Sequence, residues 1–419
     1  MVNAHRSEAA SAGALTIGYV QVGSPAHGIC RYGRLLVDEG RHRPPLNILE
    51  ENIELDGDEA RDCQRLEAAA SRLSAADVVH AQVSLWGAGS WGAGSRARRN
   101  LQTFRRACRA PIVFTLHDVT ALIPFEKQMP VGVLRTVLVE MAKGLLRPLV
   151  HRLRRVRRPM RPARAAAWWN PDGYRAWRLA RWLTDAGLNF VLTTREQRLL
   201  ASMALSRKTA LIPHFVEDPP PPKPVARPAR QRKAVILAGF IFDAKGHRMM
   251  VEAMPLLPDV EVTFVGGSTV GTAPVDGVSG LTRLAGELGV LDRLQVTGYL
   301  PEEEYQGHLM KADLAVCPFG PRKAASGSLS SLIAAGCPVV ASDIPLIREY
   351  NDLVPDAIAT FSPYTPEALA GAVRGLLDRP RTEAAAGLEE LRRRLSIHAI
   401  YDRHLDHYSQ VAREDRRRA

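Results

Sequence analysis

Small hydroxyl residues and a glycine open one helical pattern of the chain, directly after an apolar run of strand length. The segment is Ser326-Gly327-Ser328. It follows the run DLAVCPF, and the helical pattern after it extends to Gly336. Free backbone N–H groups and the positive end of the helix dipole would lie at this helix start, and both favour an anion such as phosphate. The alternative is plain helix capping by the hydroxyl of Ser326 or Ser328.

A lysine stands in a similar place after another apolar run, in the segment LAGFIFDAKGH. The run ends at Gly239, and Lys245 precedes the next helical pattern. A lysine at this point would neutralise a diphosphate leaving group as a point charge. The alternative is a solvated lysine at a helix start.

Two weaker signals lie in the first half of the chain. His117 ends the run PIVFTLHDV, at the sheet edge where doubly wound folds collect functional side chains. The alternative is a half-buried histidine bonded to the backbone. The loop GSPAHGICRYGRLL carries Gly23 and Gly28, which permit a ligand to approach the backbone closely. The loop matches neither the dinucleotide nor the P-loop fingerprint.

Alternating strands and helices must position these residues. The apolar runs are nearly continuous, which is typical of parallel strands buried on both faces. We therefore expect an α/β fold with two doubly wound, Rossmann-like domains facing a cleft. The expected parts are a first domain at 1–216, a Pro-rich linker at 217–232, a second domain at 233–395, and a C-terminal helix at 396–419 that packs back towards the first domain.

Ten strands are predicted, five in each half. They cover residues 15–23, 46–55, 77–85, 111–119 and 189–195 in the first half, and 233–241, 260–267, 293–300, 313–319 and 338–343 in the second.

The composition is that of a globular protein with excess positive charge. The 419 residues include 56 Lys+Arg and 44 Asp+Glu, a net charge of +12, and 46% are apolar. These values exclude wholesale disorder and collagen-like repeats. The five cysteines form no C-x-x-C pair, so neither a disulfide framework nor a zinc site is expected, which suits a reducing cytosol. No apolar run is long enough to span a bilayer, and the N-terminus lacks a signal-peptide pattern.

Much of the excess charge falls in one window. Residues 143–164 carry nine Lys/Arg and no acid, and four of the six tryptophans lie between 168 and 182. Cations beside interfacial aromatic residues are typical of a segment that lies on an anionic membrane. Residues 143–182 would then hold a cytoplasmic protein at the inner face of the membrane. The alternative is a solvated basic helix followed by an ordinary packed helix.

Together these motifs resemble one enzyme family. The segments PIVFTLHD, GFIFDAKG, VTGYLPEEE, KADLAVCPF and SGSLSSLIAAGCPVVASD occur in one order between residues 111 and 343, after an early G-I-C-R-Y element. The chain resembles a retaining glycosyltransferase of the family 4 type (glycosyl transferases group 1), which has the GT-B fold.

The resemblance implies substrates and roles. A UDP- or GDP-sugar would bind mainly the second domain, and an acceptor glycan, lipid or small molecule mainly the first. His117 would be the catalytic residue beside the donor sugar. No cofactor or metal is implied, because cationic side chains and a helix dipole stabilise the leaving group. The implied donor-binding residues are Gly28, Gly239, Lys245, Gly298, Lys323, Ser326, Gly327 and Ser328.

The chain departs from the family pattern at three positions. Phe240 stands where the family often has arginine, and the E-x7-E pair falls on Lys323 and Ser331. Lys323 would partly replace the missing arginine charge.

Three functions are compatible with these features. The first is sugar transfer with retention, in the synthesis of a glycolipid, an exopolysaccharide or a secondary-metabolite glycoside. The missing glutamates suggest the second, a catalytically silent GT-B homologue that assists a partner. The net charge suggests the third, a nucleic-acid-binding protein, but the ordered strand–loop motifs argue against nucleic acid. The acidic pair in Asp56-Gly57-Asp58 fits a solvated turn better than a metal site.

Overall fold

The computed structural model describes most of the chain outside its basic window and its linker. The described residues are 14–24, 28–84, 90–92, 95–117, 119, 183, 186–202, 205–218, 231–268, 277–321, 323 and 325–417. The basic segment 143–182 and most of the predicted linker, residues 219–230, lie outside the described residues.

The first half of the chain forms a sheet of six parallel strands in the order β2-β1-β3-β4-β5-β6. Its strands are β1 (Thr16–Val22), β2 (Asn47–Ile53), β3 (Val78–Val83), β4 (Ile112–Leu116), β5 (Leu188–Val191) and β6 (Thr209–Leu211). Its helices are α1 (Gly28–Arg41), α2 (Glu59–Leu73), α3 (Ser95–Ala107) and α4 (Thr194–Ser202). The strand order reverses between β1 and β3, which is where doubly wound folds open a crevice.

The second half forms another six-stranded parallel sheet, in the order β12-β11-β10-β7-β8-β9. Its strands are β7 (Lys233–Ala238), β8 (Val260–Val265), β9 (Leu294–Val296), β10 (Leu314–Cys317), β11 (Val339–Ser342) and β12 (Ala359–Phe361). Its helices are α5 (His247–Ala253), α6 (Val278–Glu287), α7 (Glu302–Lys311), α8 (Gly327–Ala334), α9 (Pro345–Leu353), α10 (Pro366–Leu377), α11 (Arg381–Ala384) and α12 (Ala386–Arg394).

The predicted fold class is confirmed by these two doubly wound sheets. Each of the ten predicted strands has a counterpart, and the central strands β3 and β4 are buried along their whole length, as their continuous apolar character indicates. Strands β6 and β12 were not predicted from the sequence. Both lie at sheet edges and have three residues, too few to show a periodic pattern by themselves. The equally short edge strand β9 was predicted as part of the longer segment 293–300.

The last helix, α13 (Ile397–Arg416), lies against the first sheet. Tyr401 and Tyr408 on α13 are fully buried, and the hydroxyl of Tyr19 on β1 donates to the Tyr401 hydroxyl at 3.0 Å. The chain therefore passes between the domains twice, first at Val216 and again at Leu395 to Ile397. The two passages pair with each other, because Val216 N donates to Leu395 O at 2.7 Å and Ile397 N donates to Val216 O at 2.9 Å.

Further contacts join the two domains. Glu349 of α9 accepts a hydrogen bond of 3.0 Å from the backbone N–H of Thr194, at the start of α4. Arg195 donates to the Pro321 carbonyl at 3.1 Å. One cluster of buried apolar side chains also includes residues of both sheets, among them Phe190 and Ile236. Burial of shared apolar area stabilises this arrangement of the two domains.

Candidate active site

A cavity of about 620 Å³ lies between the two domains. Its wall in the first domain comes from the start of α1 and from the segment His214–Glu217. Its wall in the second domain comes from residues that follow β7 and β8, from α7 and from the start of α8. The cavity therefore opens at the carboxyl ends of parallel strands, where open α/β sheets bind ligands.

The start of α8 forms one wall of this cavity. Ser326 has an extended backbone, and its hydroxyl caps the helix by accepting from Leu329 N at 3.5 Å. The hydroxyls of Ser326 and Ser328 lie 3.1 Å apart. The first turn of a helix has no intrahelical acceptors for its N–H groups, and Gly327 and Ser328 both line the cavity. Capping and an anion-binding arrangement therefore coexist at this helix start.

Lys245 reaches the same point from a 3-10 turn that follows β7. Its side chain is buried, with a residue exposure of 5%, and Nζ donates to the Ser328 hydroxyl. The ring of Phe319 lies 5.1 Å below Nζ. Burial, reinforced by the charge of Lys323, lowers the pKa of Lys245 from 10.5 to about 7. Among the described residues no carboxylate acts on the charge of Lys245. A buried cation without such a partner is costly, so the site favours an anionic ligand.

Two glycines make room for this arrangement. Gly239 has a φ of 104° and Gly266 a φ of 145°, backbone conformations that favour glycine. A Cβ at Gly239 would lie 3.1 Å from Lys245 Nζ, and a Cβ at Gly266 would lie 2.3 Å from the Gly239 carbonyl oxygen. Neither position therefore tolerates a side chain without displacing the cavity wall.

A group of charged side chains links the two domains at the cavity. Arg31 on α1 forms a two-point ion pair with Glu217, with Nη2 2.7 Å from Oε2. The same Nη2 lies 3.1 Å from Oε1 of Glu302 on α7. These contacts join α1, the first passage between the domains and the second domain.

Seven of the nine predicted site residues line the cavity and two do not. The seven are Gly28, Gly239, Lys245, Lys323, Ser326, Gly327 and Ser328. Gly298 is not among the lining residues, although its neighbours Tyr299 and Leu300 are.

His117 is the other predicted residue that does not line the cavity. It is half-buried behind Tyr32, which does line it, and the two rings meet edge to face with centroids 4.9 Å apart. Its Nε2 lies 2.9 Å from the amide oxygen of Gln82. The structure thus places His117 one side chain away from the cavity.

His214 is a cavity residue that the sequence analysis missed. Its Nδ1 lies 2.8 Å from the Phe215 carbonyl oxygen and 3.0 Å from the Ser330 hydroxyl. Burial lowers its pKa to about 4, and the charges of Lys323 and Arg31 act in the same direction. A single histidine in a short irregular segment gives no periodic signal, so nothing in the sequence distinguished it.

Within the described ranges no group of three or more His, Cys, Asp or Glu side chains could hold a metal ion. Asp58 caps α2 by accepting from Arg61 N at 2.9 Å, and Asp56 accepts from Asp58 N at 2.9 Å. This acidic pair therefore forms a turn and a helix cap. Among the same residues, no helix is long and apolar enough to cross a bilayer.

The fold matches solved structures along nearly the whole chain. Sucrose-phosphate synthase from Thermosynechococcus elongatus superposes with a TM-score of 0.66 at 17% identity, covering 95% of this chain and 99% of that one. Anabaena HepE in complex with UDP and glucose superposes with a TM-score of 0.64 at 15% identity, covering 94% and 100%. The chain has the GT-B fold. Identities this low describe the fold and leave the activity to be argued from the site.

Sequence comparison finds a family match within the second half of the chain. Residues 232–379 match the family of glycosyl transferases group 1. A 2-deoxystreptamine glucosyltransferase of Streptomyces kanamyceticus is 29% identical over 184 residues, 42% of this chain and 46% of that protein. The match thus spans less than half the length of this curated relative. Lys245, Lys323 and the start of α8 all lie within 232–379.

Proposed function

We propose that this protein is a glycosyltransferase that moves a sugar from a UDP- or GDP-sugar to an acceptor hydroxyl, with retention, as in family 4. One observation carries the proposal. Lys245 and Ser328 meet at the start of α8 inside a cavity between two doubly wound domains. A buried cation, two hydroxyls and the first N–H groups of a helix form a cradle for a diphosphate.

The proposed reaction is a direct exchange at the anomeric carbon. The bond from that carbon to the diphosphate oxygen breaks, and a bond to the acceptor oxygen forms on the same face. The proton of the acceptor hydroxyl passes to the departing diphosphate. Lys245 and the helix dipole stabilise the negative charge that develops on the leaving group, so the protein acts through position and charge.

The carboxylates of the cavity support this front-face route. Among the described residues that line the cavity, the acidic side chains are Glu217 and Glu302. Both are bonded to Arg31, and an ion-paired carboxylate is a weak nucleophile. A double displacement through an enzyme carboxylate would need a carboxylate that is not held in an ion pair. We propose no metal or cofactor in the reaction.

The proposed acceptor side is the first domain. His117 would act next to the donor sugar, through or beside Tyr32. The acceptor is a glycan, a lipid or a small molecule.

Contact with an anionic membrane through residues 143–182, at the cytoplasmic face, stays a prediction. Co-sedimentation with vesicles containing anionic lipid, with and without this segment, tests it.

Calorimetry with UDP, GDP, UDP-glucose and GDP-mannose tests the donor class. We expect one nucleotide family to bind, and Lys245→Met to weaken binding by about ten- to a hundredfold, as expected for loss of a hydrogen bond to a charged group. Lys233→Met, at an exposed position, is the matched control. Absence of binding to all four ligands would contradict the proposal.

A catalytically silent homologue is the second candidate. It is favoured by Lys323 and Ser331, which line the cavity at the positions of the two family glutamates. A silent protein would bind nucleotide without cleaving the donor. Release of free sugar from a bound nucleotide sugar, followed by chromatography, separates the two functions. No observation in the cavity favours nucleic acid.

A further inference from the structure

His214 is held in the cavity wall in a fixed orientation. It lies between β6 and the first passage between the domains, and its ring meets Tyr32 edge to face at 5.1 Å. On the opposite side, its Nε2 lies 3.9 Å from the position that a Cβ would take at Gly327, the first residue of α8. The imidazole therefore sits beside the helix start at which Lys245 also arrives.

The contacts of Nδ1 determine which ring nitrogen carries the proton. The Phe215 carbonyl oxygen, 2.8 Å away, can only accept a hydrogen bond. Nδ1 must therefore donate, and it shares this proton with the Ser330 hydroxyl at 3.0 Å. A neutral imidazole with its proton on Nδ1 carries its lone pair on Nε2. Burial and the nearby cations Lys323 and Arg31 keep the ring neutral, so Nε2 remains an acceptor at neutral pH.

An acceptor at this place complements the rest of the wall. In their charged forms Lys245 and Lys323 only donate hydrogen bonds, and so do the backbone N–H groups at the start of α8. The carboxylates of Glu217 and Glu302 are engaged by Arg31. These donors suit phosphate oxygens, whereas Nε2 of His214 suits a group that donates. The molecule next to the diphosphate must then present a hydroxyl or an N–H group to His214.

We propose that Nε2 of His214 accepts a hydrogen bond from a hydroxyl group of the ligand whose diphosphate lies at the start of α8. This inference rests on the proposed function, because it takes a nucleotide diphosphate as the ligand. The hydroxyl belongs either to the ribose or to the transferred sugar. His214 is then a binding residue. It recognises a ligand hydroxyl that would be recognised by a carboxylate in proteins that have the E-x7-E pair.

Two conservative variants separate a ligand contact from a structural role. In His214→Asn the side-chain amide can still donate to the Phe215 carbonyl, but no atom reaches the position of Nε2. In His214→Gln the amide oxygen can take the position of Nε2 and accept, while the contact to Phe215 is lost. His214→Phe keeps the ring and loses both contacts. Thermal melting of each variant reports on the structural contribution.

Calorimetry with pyrophosphate, UDP, GDP, UDP-glucose and GDP-mannose then measures binding. We expect His214→Asn and His214→Phe to weaken nucleotide-sugar binding by about three- to tenfold, the range for one neutral hydrogen bond. We expect His214→Gln to stay within about twofold of the unmodified protein, and pyrophosphate binding to be unchanged in all three. If binding of the free nucleotide weakens as well, the hydroxyl belongs to the ribose. If only binding of the nucleotide sugar weakens, the hydroxyl belongs to the sugar.

Other results would overturn the inference. Unchanged nucleotide-sugar affinity in His214→Asn and His214→Phe would show that Nε2 has no ligand contact. If His214→Asn kept the nucleotide-sugar affinity of the unmodified protein and His214→Gln lost it, the role of His214 would be purely structural. If the unmodified protein binds none of the five probes, the proposed function itself is wrong and this inference falls with it. The two failures are thus distinguished by the unmodified protein alone.

Discussion

The amide oxygen of Gln82 accepts a hydrogen bond of 2.9 Å from Nε2 of His117. The amide nitrogen of Gln82 lies 3.2 Å from Nε2 of His80, whose Nδ1 lies 2.6 Å from the hydroxyl of Tyr408 on α13. An amide oxygen only accepts and an amide nitrogen only donates. The proton of neutral His117 therefore lies on Nε2, and that of His80 on Nδ1. A continuous row of hydrogen bonds connects α13 with the histidine behind Tyr32.

This row predicts that Gln82 sets the tautomer of His117. In Gln82→Met the acceptor for Nε2 is lost, and we expect His117 to populate both neutral tautomers. In Gln82→Glu a carboxylate replaces the amide oxygen, so the proton should stay on Nε2 and the pKa of His117 should rise. Nitrogen-15 NMR of labelled histidines measures both effects, with His117→Gln identifying the signal. Identical His117 shifts in the methionine variant and the unmodified protein would contradict the prediction.

Lys245 predicts proton uptake on ligand binding. In the free protein its pKa is about 7, so at pH 8 the side chain is mostly neutral. A diphosphate beside Nζ favours the charged form. We expect UDP or GDP binding near pH 8 to take up close to one proton, and affinity to fall as pH rises above 7, by at most about tenfold per pH unit. Calorimetry in buffers of different ionisation enthalpy measures the uptake, which should vanish in Lys245→Met.

The same lysine lowers the stability of the free protein. The unfolded chain retains the Lys245 proton up to about pH 10.5, whereas the folded chain loses it near pH 7. The unfolded state therefore binds more protons between these values, and stability rises with pH across that window. We expect Lys245→Met to have the larger free energy of unfolding at pH 7, with a difference that shrinks towards pH 10. Urea titrations at several pH values check this, and a constant difference would rule out the titration of Lys245 as its cause.

Gly266 predicts a site-specific loss of stability. In Gly266→Ala the new Cβ would lie 2.3 Å from the Gly239 carbonyl oxygen, at a φ of 145°. We expect a loss of more than about 2 kcal/mol in the free energy of unfolding, because steric overlap and backbone strain add. Gly286→Ala is the matched control, since Gly286 lies in α6 with no atom within 4 Å of its added Cβ. The control should gain up to about 1 kcal/mol. Equal stability of the two variants in urea would refute the argument.

We expect replacement of Lys323 to change both the pKa of Lys245 and the affinity for a nucleotide sugar. It lines the cavity and lowers the pKa of Lys245. If it supplies part of the charge of the missing arginine, Lys323→Ala should weaken nucleotide-sugar binding by about ten- to a hundredfold, the range for a hydrogen bond to a charged group. The pKa of Lys245 should rise in the same variant, moving proton uptake to higher pH. Unchanged donor affinity in calorimetry would show that Lys323 does not replace the arginine.

The fold could be predicted from the sequence because most of its strands are buried and apolar. Ten runs of β-rich residues indicate parallel strands, and a Pro-rich segment separates two similar halves. The edge strands Thr209–Leu211 and Ala359–Phe361 were missed, because three residues by themselves show no periodic pattern. The third edge strand of this length, Leu294–Val296, was predicted only as part of the longer segment 293–300. The order of strands within each sheet follows from contacts between distant segments, which composition and periodicity do not encode.

The candidate site could be predicted only where a chemically suited side chain lies at the start of a helix or the end of a strand. Lys245 and Ser326-Gly327-Ser328 stand at helix starts after strands, so their meeting in one cavity follows from the topology of a parallel sheet. His214 and Arg31 have no such position. Their roles depend on the packing of the two domains, with His214 against α8 and Arg31 against Glu302. His117 was placed at the right strand end, but the ring of Tyr32 in front of it could not be read from the sequence.

The position of α13 reverses the expected order of folding during synthesis. Domains of a nascent chain generally fold from the amino end, each as it leaves the ribosome. Here Tyr401 and Tyr408 cover Tyr19 of the first sheet, and they are made after the second sheet. The second sheet is complete at Phe361, so it can fold while the first sheet still lacks its cover. The amino-terminal half of this protein would therefore be the part whose core closes last.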